Sequence, residues 1–344
     1  MKVQITFVLW LVSITLCAQE QDAETQPKVI DPTVNSKLPE VKPLITSDGN
    51  TLFFGRRNSP ENIHGVKDFQ DVWVSHKDEK GNWQQATNLG ENVNDRYANA
   101  ICSVSKDGKT AVFHNTYKKI NQPLAISKFQ DNQWTKPEPL IITDFYNHSE
   151  YSDFFLCFEN AIIIMAVQRE DSRGGQDLYI SRLNEDGSYS VPINLGDNIN
   201  SSGEDFAPFL ASDSKTLFFA STGHEGQGGS DIFMIQRQDE TWTKWSNPVN
   251  LGPEVNSNHN ENYFSLTSDF RFLYLDRASP SLERDIRRLF VPDKIRPRVF
   301  QEKTVAAKVS SGKKRYYIKD LTAKDSEDDY PLLTGTPPSK LPRK

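Results

Sequence analysis

Glu204-Asp-Phe-Ala-Pro208, Ser212-Asp-Ser-Lys-Thr-Leu-Phe-Phe219, Asp231-Ile-Phe233, Trp242 and Asn250-Leu-Gly252, closed by Val255-Asn-Ser257, form the clearest copy of a phrase that this 344-residue chain states five times. The residue opening the third apolar run falls at Asp71, Pro123, Asp177, Asp231 and Asp285, in steps of 52, 54, 54 and 54. The first turn recurs at Asp48, Asp107, Glu159, Asp213 and Asp269. The closing pair recurs as Val34-Asn35, Val93-Asn94, Tyr146-Asn147, Ile199-Asn200 and Val255-Asn256. A fixed period of this length sets the architecture and outranks local propensity.

Each copy reads as four short strands. A run such as Lys42-Pro-Leu-Ile45 enters the turn Ser47-Asp-Gly-Asn50 and leaves as Thr51-Leu-Phe-Phe54, a hairpin signal. A variable loop follows, then a third run such as Leu178-Tyr-Ile-Ser181, a second turn, and a short fourth run at Asn-Leu-Gly. No segment of 38–292 sustains a helical period. The expected fold is therefore all-β, a propeller of four-stranded blades, because a lone sheet of this size cannot bury both faces while stacked blades cover one another. The count is five blades; a sixth would have to lie in the tail. The aromatics at Trp83, Trp134, Tyr189 and Trp242 are expected to pack between blades. The fifth copy lacks its Asn-Leu-Gly close, and Val29-Ile-Asp-Pro-Thr-Val-Asn-Ser36 aligns with Asn88-Leu-Gly-Glu-Asn-Val-Asn-Asp95. The N-terminal segment is thus expected to complete the last blade and remove an exposed sheet edge.

Outside the repeats, Lys2 and the apolar stretch Val3 to Leu16, with a small-residue site at Ala18, read as an export signal over residues 1–18. At 14 residues the stretch is short against the ~20 needed to span a bilayer. Lipidation at Cys17 is the alternative, although Leu16 fits that pattern poorly. The expected location is the periplasm or outer membrane, or outside the cell. Residues 19–37 form a polar lead-in with the closing strand, 38–292 the propeller, and 293–344 either a small strand-rich appendix or a disordered tail. Cys102 and Cys157 read as buried thiols rather than a disulfide scaffold. A formal charge of −6 argues against a nucleic-acid partner.

The repeat text resembles the TolB-type propeller repeat. More narrowly, Thr222-Gly-His-Glu-Gly-Gln-Gly-Gly-Ser-Asp-Ile-Phe233, the Asn-Leu-Gly closes, and Arg56 to Gly65 with Gln70-Asp-Val-Trp-Val-Ser75 are similar to the propeller of Bacteroidetes OmpA-family envelope proteins. The likeness covers about 38–292. It implies an exported envelope propeller; the peptidoglycan-binding domain of those relatives does not carry over, because the chain has no room for it.

For chemistry, two loop sets share one face of the ring. Those leading into the first strands carry Glu40, Glu150, Glu204 and Glu261; those joining second strands to third carry Arg57, His64, Arg169, Arg173, His224 and Arg277. These ten residues are the candidate binding set at the channel mouth. The bland reading is that the acids cap backbone N–H groups and pair with neighbouring arginines. The recurring Asp71, Asp177, Asp231 and Asp285 read as turn-fixing. No nucleophile elbow, His-Glu-x-x-His, phosphate loop or dinucleotide fingerprint occurs, so no catalytic residue, metal site or cofactor is assigned. The leading expectation is a non-enzymatic scaffold that binds an envelope protein or glycan through the charged mouth. The alternative is a carbohydrate-active or glycan-binding protein, a polysaccharide lyase included, with Arg neutralising a uronate and His or Tyr acting as base.

Overall fold

The computed structural model describes residues 27–114, 122–278 and 284–296, all within one compact unit, Met1–Arg296. The export signal and nearly all of the tail lie outside the described residues, as does the second unit, Pro297–Lys344.

Five antiparallel sheets follow one another along the chain. Blade 1 is Glu40–Ile45, Thr51–Arg57, Gln70–His76 and Thr87–Asn88. Blade 2 is Ala100–Val104, Thr110–His114, Leu124–Gln130 and Glu138–Pro139, with a short extra strand, Gln133–Trp134. Blade 3 is Asp153–Cys157, Ile162–Val167, Asp177–Arg182 and Ile193–Asn194; blade 4 is Asp205–Leu210, Thr216–Ser221, Asp231–Gln236 and Val249–Asn250. Blade 5 takes Glu261–Leu266, Phe272–Ala278 and Arg284–Phe290 from its own repeat and Lys28–Val29 from the N-terminus. The register is Lys28 opposite Arg288 and Val29 opposite Arg287, so the ring closes by the exchange that the sequence predicts. The architecture is a five-bladed β-propeller.

The recurring polar residues hold the outer strand of each blade. In blade 3 the Asn200 amide pairs with both backbone groups of Leu178, its Oδ1 accepting from N at 2.8 Å and its Nδ2 donating to O at 3.2 Å. A side chain thereby acts as an extra strand residue where the chain turns away, supplying the acceptor for Leu178 N, while Leu178 O also accepts from Leu195 N at 2.9 Å. Asn94 does the same for Val72, Asn256 for Ile232, and Asn35 for Ile286 across the closure. Asp71, Asp177 and Asp231 each accept from the Asn of Asn-Leu-Gly and from the preceding loop. Blade 2 has Pro123 at that position, and its outer edge is correspondingly different, with Glu138–Pro139 opposite Ala125 and Ile126.

The core lies between blades. Trp83 of blade 1 meets Tyr274 of blade 5 edge-on at 6.3 Å, and Trp134 of blade 2 meets Phe53 of blade 1 at 6.2 Å. Tyr189 and Trp242 are buried against blades 2 and 3 respectively. Close approach at the blade 4–blade 5 seam demands glycine at 228, where a Cβ would stand 1.9 Å from the His259 carbonyl oxygen. Cys157 is buried and Cys102 partly so, and both are free thiols.

Candidate functional site

The first strand of every blade lines the central channel, and the mouth gathers the loops singled out from sequence. Most of those residues are tied into the scaffold. Glu40 is fully buried, takes Arg56 Nε at 2.8 Å, and accepts from Ser36 N and Oγ at 3.1 and 2.6 Å. Glu261 repeats this with Arg277 at 2.6 Å and Ser257. Asp205 receives Ser201 and Asn99 receives Asp95 N at the same place in their blades. Burial, acting against these hydrogen bonds and the arginines, raises the pKa of Glu40 and Glu261.

The cations recur as well. Arg56, His224 and Arg277 each bond the carbonyl just before a closing Asn: Val34 O at 2.8 Å, Ile199 O at 2.7 Å and Val255 O at 2.5 Å. The last contact on His224 means that its Nε2 carries the proton. Arg173 donates to Asp197 O and Asn200 O, and Arg169 is buried on the Tyr146 ring with a bond to Asp144 O. Glu204 is exposed and accepts from Gln176 N at 2.6 Å. His64 and Glu150 are exposed. Of the set, Arg57 is the arginine with no carboxylate or backbone carbonyl acceptor among the described residues. Its guanidinium lies 4.8 Å from the Phe69 ring, Nε donates to Gln70 at 3.3 Å, and among the described residues nothing accepts from its Nη atoms.

Beside Arg57 the channel holds a polar cluster that sequence reading missed. Lys42 Nζ contacts Asp153 Oδ1 at 2.5 Å and lies 4.4 Å over the Tyr263 ring, whose hydroxyl donates to the same carboxylate at 3.2 Å. Asp276, fully buried, accepts from Tyr263 N and Lys42 N at 3.2 and 3.4 Å and pairs with Arg284 at 3.3 Å. With its amide oxygen turned to the guanidinium, Asn262 accepts from Arg284 at 2.8 and 3.0 Å. Burial lowers the pKa of Arg57; Tyr263 and Asp276 oppose this and Arg284 adds to it, so these groups share one field. Burial works against the charge on Lys42, yet Asp153 and Tyr263 outweigh it and hold the ammonium protonated. Burial raises the Tyr263 pKa, so its hydroxyl stays a donor rather than a base.

Lys42 and Tyr263 sit at bulges of their inner strands, whereas Asp153 opens a regular one. Register slips between Val41 and Leu44, Phe206 and Phe209, and Glu261 and Phe264, and the backbone is left-handed at Lys42 (φ 54°) and Ala207 (φ 50°). Below the cluster a cavity of about 50 Å³ is bounded by Phe155, Phe209 and Phe264, whose rings meet at 5.3 and 5.8 Å. Among the described residues no three His, Cys, Asp or Glu side chains gather as metal ligands. Nor do two uncommitted carboxylates flank the cavity: Asp153 is held by Lys42 and Tyr263. With Lys42, Tyr263 and Arg284 committed to Asp153 and Asp276, the Arg57 Nη atoms are what the site can present to an anionic group.

No family model matches the chain, and no curated protein matches its sequence. Solved structures do. An α-L-arabinofuranosidase from Lactobacillus brevis is 12% identical, with 76% of this chain and 92% of that one covered and a TM-score of 0.48. An exo-β-1,3-galactanase from Phanerochaete chrysosporium is 12% identical over 77% of this chain and 64% of that one, with a TM-score of 0.47. A xylan β-1,4-xylosidase from Bacillus halodurans is 10% identical over 74% and 53%, with a TM-score of 0.46. At such identities the likeness concerns the fold alone and assigns no residue a role. These three are carbohydrate-active enzymes, and the expectation of a non-enzymatic, protein-binding scaffold is withdrawn on that finding in favour of its carbohydrate-directed alternative. The TolB and OmpA-family resemblance likewise finds no family model behind it, and no helix among the described residues is long and apolar enough to cross a membrane.

One residue at the cavity carries a pH signature. His114 is buried, 3.2 Å from Ser152 Oγ and edge-on to Phe154 at 5.0 Å. Burial, with Lys42 adding to it, lowers its pKa from 6.5 to about 3. A depressed histidine contributes stability that is present above the unfolded value and is lost as pH falls, at about 1.4 kcal/mol per unit below ~6.5. His114→Gln is expected to be less stable than the parent by about 1 kcal/mol at pH 8 and to gain roughly 2 kcal/mol on it by pH 5. Denaturant unfolding of both proteins at the two pH values measures this. A difference independent of pH would refute it.

Proposed function

We propose that this protein is a carbohydrate-directed propeller that takes an acidic sugar residue at the mouth of its channel. The observation that carries this is Arg57: an uncommitted guanidinium at the mouth, resting on the half-exposed ring of Phe69 and sharing the field of Arg284, Tyr263 and the exposed Tyr151. A planar fork of donors matches a carboxylate in two hydrogen bonds. An exposed aromatic ring offers a flat surface to the C–H face of a pyranose, and the donors supply orientation. The guanidinium is set in a chain of net charge −6, so recognition of an anion rests on this site and not on the whole surface. The same reading includes export, resting on Lys2 and the apolar stretch to Leu16, and it leaves the TolB-type likeness as a statement about the repeat text alone.

Titration calorimetry with oligogalacturonate and with a neutral oligosaccharide of equal length tests the reading. The acidic ligand is expected to bind and the neutral one to bind at least tenfold more weakly. Arg57→Gln should cost a further roughly tenfold, the range of a charge-assisted hydrogen bond. Equal binding of the two sugars, or a variant indistinguishable from the parent, removes the proposal. Absorbance of an unsaturated product in the same samples reads out any elimination.

A further inference from the structure

On the opposite face, blade 5 carries a third strand unlike the others. Arg284-Asp-Ile-Arg-Arg-Leu-Phe290 stands where blade 4 has Asp231-Ile-Phe-Met-Ile-Gln236. Antiparallel partners share a face, so Tyr274, Arg288 and Lys28 form one row across three strands, directed at blade 1. The row ends in a like-charged cross-strand pair, Arg288 opposite Lys28, an arrangement that weakens a sheet. One level below, the Phe272 ring supports two guanidinium groups, Arg288 at 4.7 Å and Arg271 at 5.1 Å. Blade 1 adds Lys77, whose Nζ lies 4.8 Å over the Trp83 ring and donates to Gly49 O at 2.7 Å.

These cations lack enough local acceptors. Among the described residues no carboxylate bonds the guanidinium of Arg271 or Arg288. The nearby Asp48 and Asp269 are engaged by Thr46 and Asn50 and by Thr267 in their own turns. Tyr274 is fully buried, and its hydroxyl faces the Arg288 guanidinium without a hydrogen bond of normal geometry. Burial lowers the Lys77 pKa and Arg288 and Arg271 lower it further, with Asp48 and Asp269 opposing them, which places the three cations and two carboxylates in one field. A buried hydroxyl turned to a guanidinium, and cations in excess of carboxylates at one seam, are what an oxyanion relieves.

We infer that the blade 5–blade 1 seam is a binding site for a multiply charged oxyanion, a phosphate or sulfate group, held by Arg271, Arg288, Lys77 and the Tyr274 hydroxyl. Because it joins the closing strand, blade 5 and blade 1, its occupation tightens the ring closure. A ligand that binds only the closed fold raises the unfolding temperature with concentration.

Thermal unfolding with inorganic phosphate against sodium chloride at equal ionic strength reads this directly. Phosphate is expected to raise the midpoint progressively where chloride does not. Arg288→Gln and Arg271→Gln should each weaken the phosphate effect roughly tenfold. Lys109→Gln, at the matching turn position of blade 2, should leave it intact. Dextran sulfate against neutral dextran separates an ester on a polymer from a free ion: a shift with phosphate alone assigns a small-ion site, and a shift with both assigns an ester-bearing chain. Arg271 is exposed, so its variant folds even where Arg288→Gln does not. Identical shifts with phosphate and chloride, or an Arg271→Gln protein that responds like the parent, overturn the inference. The acidic-sugar reading at the mouth stands or falls separately, since it uses none of these residues.

Discussion

Replacing Glu40 by alanine is expected to destabilise the propeller by about 3–5 kcal/mol, the cost of leaving one member of a buried ion pair alone. The Arg56 guanidinium would keep Val34 O at 2.8 Å and its place 4.1 Å over Trp73, but would lose its carboxylate in a site where its side chain is 5% exposed. Ser36 N and Oγ would lose their acceptor at the same time, loosening the turn that delivers the closing strand. The double change Glu40→Ala with Arg56→Met should recover part of the loss, because it removes the stranded charge together with its partner. Denaturant unfolding of the three proteins reports the coupling. A single-variant loss below about 1 kcal/mol would show that the pair is hydrated and the burial argument wrong.

The second large effect belongs to the closing asparagines. Asn200→Ala removes bonds to Leu178 N, Leu178 O and Asn194 Oδ1, at 2.8, 3.2 and 2.8 Å, from a residue with no exposed surface. Leu178 N, in a fully buried residue, is left without a partner at roughly 1–3 kcal/mol, while Leu178 O keeps Leu195 N at 2.9 Å. A total of about 2 kcal/mol is expected. Asn200→Asp should be nearly as harmful, because a carboxylate keeps the acceptor but faces Leu178 O and Asn194 Oδ1 without a donor. Asn247→Ala on the exposed outer loop should stay within about 0.5 kcal/mol. Equal losses at 200 and 247 would refute the strand-completing role.

The repeat could be read because the same physical job recurs at fixed spacing. Asp71, Asp177 and Asp231 all tie an outer strand to a loop, and Asn35, Asn94, Asn200 and Asn256 all complete a third strand, so the chemistry is written several times over. The channel site is written once. Lys42, Asp153, Tyr263 and Asp276 come from three blades, and Asp153 and Tyr263 touch across 110 positions of chain. Their one local signal was a charge set inside an apolar strand: Lys42 before Pro-Leu-Ile, Asp153 before Phe-Phe-Leu, Asp276 after Leu-Tyr-Leu. Sequence reading looked instead to the loops, where charge is ordinary, and so gathered Arg169, Arg173, His224 and Arg277. Those side chains reach backbone carbonyls of neighbouring turns, contacts that no pattern in their own segment announces.

By itself the sequence determined the number of blades, the boundaries of the quoted strands to within three residues, and the closure of the ring by the N-terminal strand. Each follows from local hydrogen bonding and a period of about 54 residues. Only the tertiary structure decided which charges are spent on the scaffold and which remain. That depends on how five separate inner strands, four of them bulged, turn particular side chains into one channel, and distance across a ring is not encoded in distance along the chain.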